Sequence, residues 1–113
     1  MKFLKIEDMK KGWFIGDFEP SLFKTSQFEV AVHSHKKDEF HAPHYHKVAT
    51  EYNVVTEGKI LVNDNELKAG DIFIAYPNDI TDVKFITDCT IVVVKVPSVK
   101  GDKYIVEKTK KDN

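Results

Sequence analysis

The chain has 113 residues, 17 basic and 18 acidic, and a formal net charge of -1. Charge this even creates no field to draw nucleic acid or an anionic membrane, and the length supplies one core with no room for a separate catalytic domain. No segment approaches the ~20 apolar residues that cross a bilayer, and Cys89 is the single cysteine, so no internal disulfide forms. The N-terminus lacks the long apolar stretch of a signal peptide, and a cytoplasmic location is the expectation.

In chain order, Ile6 to Lys11 predicts one helical turn ended by Gly12. Trp13, Phe14, Phe18, Phe23 and Phe28 follow as an aromatic segment, read as an N-terminal strand packing on a barrel or on a second subunit in preference to an aromatic wall for a ligand. Alternating, β-branched and aromatic runs then predict strands over 28–33, 51–56, 59–62, 71–76, 83–86 and 90–96. Turn residues separate them: Glu57-Gly58, Asn63-Asp64-Asn65, Ala69-Gly70, Pro77-Asn78-Asp79, Thr87-Asp88 and Pro97. Short strands with turns about every ten residues define an all-β sandwich or barrel. The predicted organisation is an N-terminal strand and aromatic segment over 1–28, a barrel core over 29–99, and a C-terminal strand with basic tail over 100–113. The tail, Lys108-Thr109-Lys110-Lys111, is read as a solubilising terminus. Cys89 stands at a strand entrance with no base in view to make it a nucleophile. In the run Thr90 to Val96, Val92, Val94 and Val96 share one face and Ile91 and Val93 the other. A strand apolar on both faces predicts a subunit interface, and hence a homodimer.

All five histidines lie between positions 33 and 46. His44 and His46 alternate and share a face of an extended segment, and a short turn brings Glu51 to the same point. Two imidazoles and one carboxylate suit a divalent Zn, Fe, Mn or Ni ion. His33 and His35 also alternate, but the charged turn Lys36-Lys37-Asp38-Glu39 follows them. They are read, with His41, as polar groups at a barrel mouth or in solvent, not as ligands.

The string from His44 to Gly58, read as H-x-H, four residues, E, six residues, G, resembles the first motif of the cupin superfamily. Gly70-Asp71-Ile72-Phe73-Ile74-Ala75-Tyr76-Pro77-Asn78 resembles the start of the second. Together the motifs span positions 44 to 82. Asn78 replaces the usual turn glycine, tolerable because Asn enters left-handed backbone more easily than other side chains. The usual third histidine is absent, which excludes a three-histidine site; Asp82 is the expected replacement ligand, and Thr81, a poorer one, the expected water or substrate contact. The resemblance implies a cupin-type antiparallel β-barrel, a double-stranded β-helix or jelly roll, binding a small molecule. It implies metal ligands His44, His46, Glu51 and Asp82, proton transfer by Glu51 or His46, and substrate contacts from Tyr45, Asn53, Tyr76 and Thr81. Three activities fit: a metal-dependent isomerase or epimerase acting on a sugar or nucleotide sugar, an Fe-dependent dioxygenase, and a non-catalytic binding module.

Overall fold

The computed structural model describes residues 1–107. The lysine-rich stretch 108–111 lies outside the described residues. After a 3-10 turn at Ile6–Asp8, ten strands follow: β1 Trp13–Ile15, β2 Glu29–His35, β3 His44–Tyr45, β4 Thr50–Glu57, β5 Lys59–Val62, β6 Asn65–Lys68, β7 Ile72–Ala75, β8 Val83–Phe85, β9 Cys89–Val96 and β10 Tyr104–Ile105. They form a five-stranded sheet in the order β1-β2-β9-β4-β7, a three-stranded sheet β6-β5-β8 and a pair β10-β3, all antiparallel.

The antiparallel register decides what each face carries, because directly opposed residues project to the same side. On the inner face Trp13, Ala31, Val93, Asn53 and Phe73 form one cross-strand row, and Glu29, Lys95, Glu51 and Ala75 form the next. Val55 and Ile60 are fully buried, and with Ala31, Phe85, Cys89, Ile91 and Val93 they make the core that joins the two layers. Truncating Ile60 to Ala would cost roughly 2–5 kcal/mol at such a site.

β4 turns directly into β5 at Gly58, whose φ is 87°. A side chain there would collide with the Asp88 carbonyl and with Cys89 Sγ, so the glycine closing the first motif serves chain reversal and packing together. Cys89 is buried and its thiol donates to the Lys59 and Thr87 carbonyls, as expected of a structural residue. Asn78 takes φ 73°, the left-handed conformation expected of it, and its N–H donates to the His46 carbonyl at 2.7 Å. The turn after β7 therefore fixes the backbone of the H-x-H segment.

β9 departs from the expectation of a strand buried on both faces. Cys89, Ile91, Val93 and Lys95 are buried, whereas Thr90, Val92 and Val94 are half-buried and Val96 is exposed. The helical turn is shorter than predicted, ending at Asp8. Strand β6, within and beyond the predicted turn at 63–65, was not expected: Leu67 is its single apolar residue, and pairing with β5 defines it.

Candidate metal centre

Between the layers opens a cavity of about 1010 Å³, at the upper end of the usual size for small-molecule sites. His44 enters it from β3, Glu51 and Asn53 from β4, and His46 from the β3–β4 loop. Ligand atoms of His44, His46 and Glu51 all lie within 4.8 Å of one another. His46 Nδ1 stands 3.9 Å from Glu51 Oε2, too far for a hydrogen bond. Donors about 2.0–2.2 Å from one ion are separated from each other by roughly 3–4 Å, so this spacing fits ligation better than direct pairing. Asn53, 4 % exposed, donates from Nδ2 to Glu51 Oε1 at 3.1 Å, leaving Oε2 toward His46.

Burial, followed by the charges of Lys103 and Lys95, holds His44 below its ordinary imidazole value. Burial and then Lys95 do the same for His46, with Glu51 opposing. Both rings are therefore neutral at pH 7, the state in which a ring nitrogen can ligate a metal or accept a proton.

Asp102, remote in sequence, braces this arrangement. Its buried carboxylate accepts from the backbone N–H groups of Lys47, Val48 and Ala49 at 2.9–3.2 Å. Burial alone would raise its pKa, but the donors of Ala49, Lys47 and Val48 more than offset that and hold it below the usual aspartate value. The loop between His46 and β4 is thus gripped along three successive residues, and outer supports of this kind orient ligands. No local sequence signal announces Asp102 as a partner of residues 47–49.

The other expected contacts divide. Thr81, 6 % exposed, lines the cavity and exchanges two backbone hydrogen bonds with His44, N···O 2.8 and 3.1 Å. Asp82 does not line the cavity; its backbone N–H and carbonyl pair with Asn63 instead. Alternation along this extended segment gives the inward place to Thr81 and turns its neighbour away. Tyr45 stacks on Tyr104 with ring centroids 5.3 Å apart, and Tyr76 is 56 % exposed; neither lines the cavity.

His33, His35 and His41, read as mouth or solvent groups, all line the cavity. His35 Nδ1 and His41 Nε2 lie 2.6 and 2.5 Å from the same Glu39 oxygen. Hydrogen bonds from His41 and then His35 bring Glu39 down to about 2. This second His–Glu–His group could also hold an ion, but its donors already satisfy one another. Trp13, expected to pack, does so against Phe18 and His33, and it lines the cavity as well.

The fold is a double-stranded β-helix, the fold also seen in solved cupin structures. No protein-family model and no curated protein matches the sequence. Among solved structures, a double-stranded β-helix protein from Klebsiella pneumoniae is similar over 95 % of this chain and 93 % of its own, with TM-score 0.69 and 21 % identity. A cupin sugar phosphate isomerase from Silicibacter pomeroyi is similar over 74 % of this chain and 59 % of its own, with TM-score 0.56 and 22 % identity. The Escherichia coli pirin, in complex with nickel(II), is similar over 78 % of this chain and 39 % of its own, with TM-score 0.60 and 17 % identity. Among the described residues no helix is long and apolar enough to cross a membrane.

Proposed function

We propose that this chain is a metal-dependent cupin that moves a proton next to a carbonyl of a sugar-type small molecule, as an isomerase or epimerase does. The observation that carries the reading is the convergence of His44, His46 and Glu51 on the cavity wall, with the His46–Glu51 pair spaced at 3.9 Å. These three residues would hold one divalent ion, of Zn, Fe, Mn or Ni type. Such an ion supplies Lewis-acid stabilisation of developing oxyanion charge.

The chain's own groups do the rest. Asn53 fixes which Glu51 oxygen faces His46. A Glu51 oxygen not committed to the ion accepts the substrate proton, and His46 does so only where no ion occupies its acceptor nitrogen. Thr81 offers a hydroxyl on the cavity wall beside His44. A cavity of about 1010 Å³ accommodates a sugar, and the similarity to a sugar phosphate isomerase favours that class. The buried free thiol of Cys89 suits the reducing cytoplasm. Asp82 and Tyr76 have no place in this reading, because neither lines the cavity.

The test is metal analysis followed by hydrogen exchange. Purified protein should carry about one divalent ion per chain, lost in a His44→Ala, His46→Ala double variant, and should exchange a substrate hydrogen with deuterated water in a Glu51-dependent manner. Equal metal content in wild type and the double variant rejects the metal centre. Two imidazoles and one carboxylate also suit an Fe(II) oxygenase; exclusive Zn content removes that reading. Ligand-induced thermal stabilisation with neither exchange nor oxygen uptake would identify a binding module.

A further inference from the structure

The inner wall carries a charged group that the proton-transfer reading does not use. Lys95 lies on β9, the middle strand of the five, and is 9 % exposed. In the register it stands between Glu29 on β2 and Glu51 on β4, all three on the inner face. Yet among the described residues no carboxylate comes within 4.0 Å of its ammonium, and no hydrogen bond engages it. Its Nζ lies 5.6 Å from the centroid of the Trp13 ring. No side-chain nitrogen sealed from solvent lacks a partner, so this ammonium keeps its access through the cavity that the residue lines.

An ammonium reached through a cavity, with no partner at hydrogen-bond distance, presents its three donors to whatever enters. Glu51, opposite Lys95 in the register, turns its Oε1 to Asn53 and its Oε2 toward His46, and makes no direct contact with the ammonium. Glu39 is engaged by His35 and His41. Glu29, opposite Lys95 on the other side, feels its charge, but it does not line the cavity and comes no closer than 4.0 Å to the ammonium. Among the described residues, the donors of this ammonium are therefore left open to a ligand in the cavity. We propose that Lys95 is an anion-holding residue, and that the small molecule taken by this cavity carries a carboxylate which its ammonium binds while neighbouring oxygens reach His44, His46 and Glu51. This deepens the proposed function by naming an acid, such as a sugar acid or hydroxy acid, in place of a neutral sugar.

The charge count favours carboxylate over phosphate. Lys95 is the one buried lysine on the wall, Lys11 and Lys103 being exposed at its edge. The chain contains no arginine, so the bidentate fork that recognises phosphate is missing. A single ammonium is a point donor suited to one carboxylate group.

Trp13 is the single tryptophan, and its ring lies beside Nζ, so its emission reports on binding. The probes are glycolate and its neutral counterpart glycolamide, titrated into cobalt-loaded and metal-stripped protein. Glycolate should bind wild type about ten- to a hundredfold tighter than glycolamide in both forms, the range expected of one charge-assisted contact. Lys95→Met should abolish that preference with cobalt content unchanged, and Lys95→Arg should retain part of it. A wild type that does not distinguish the probes overturns the assignment, as does a Lys95→Met variant that still does. The wild-type comparison stands even if Lys95→Met fails to fold. Protein that takes up no cobalt yet prefers glycolate refutes the metal centre and supports Lys95; protein that takes up cobalt without that preference does the reverse.

Discussion

At the level of single residues, the site depends on one carboxylate that touches none of the ligand candidates' side chains. Asp102 holds the backbone of 47–49 through hydrogen bonds of 2.9–3.2 Å. Asp102→Ala removes all of them and leaves three N–H groups to find water, which should cost about 2–4 kcal/mol and lower metal affinity roughly ten- to a hundredfold. Asp102→Asn separates charge from shape. The folded pKa lies below the ordinary 3.8, so the carboxylate's contribution is full above pH 3.8 and is lost as pH falls through the folded value. The Asn variant should therefore lose less stability on acidification than wild type, as read by urea midpoints between pH 2.5 and 6; parallel losses would dismiss this role. His33 acts in the same direction at higher pH. Burial and then His35 lower it to about 4, so stability falls as pH drops from 6.5 to 4.

At the level of elements, the alternation of side chains decides which neighbour enters the site. Thr81 opposes His44 in an antiparallel bridge and lines the cavity, whereas Asp82 pairs through its backbone with Asn63 and does not. Thr81→His should consequently raise metal affinity by about tenfold or more by adding an imidazole beside His44, and Asp82→Ala should leave metal content unchanged, both checked by competition with a chelating dye. The reverse pattern would mean that the register slips by one in solution. Here the sequence was legible up to a limit. The spacing of His44, His46 and Glu51, the left-handed Asn78 and strands β2, β4, β5, β7, β8 and β9 could be read locally, since each rests on periodicity or turn chemistry. The choice between Thr81 and Asp82 could not, because it depends on pairing with a strand thirty-odd residues away. Asp102 and Lys95 were missed for the same reason: one is an ordinary acid in a loop, the other an ordinary lysine in a valine-rich strand, and only the fold gives them neighbours. A lone lysine inside the run Val92-Val93-Val94-Lys95-Val96 was nevertheless a visible departure from pattern.

At the level of the whole molecule, the outer face of the large sheet is as apolar as the inner. Val30, Val94, Tyr52 and Ile74 form one cross-strand row and Val32, Val92, Val54 and Ile72 the next. Tyr52, Ile72 and Ile74 are 43, 66 and 39 % exposed. Such a patch favours association through this face. Light scattering at tens of micromolar should give twice the chain mass, and a Tyr52→Lys, Ile74→Lys double variant should give the single mass without losing bound metal; a monomeric wild type would refute the dimer. The grip of Asp102 also gives the chain an order of maturation. His44, His46 and Glu51 are all synthesised well before Asp102, so the loop that sets their spacing stays unfastened until Asp102 has emerged from the ribosome. A nascent or prematurely ended chain therefore holds His44, His46 and Glu51 without their geometry, and at the proposed metal centre ion capture would wait until the barrel is closed.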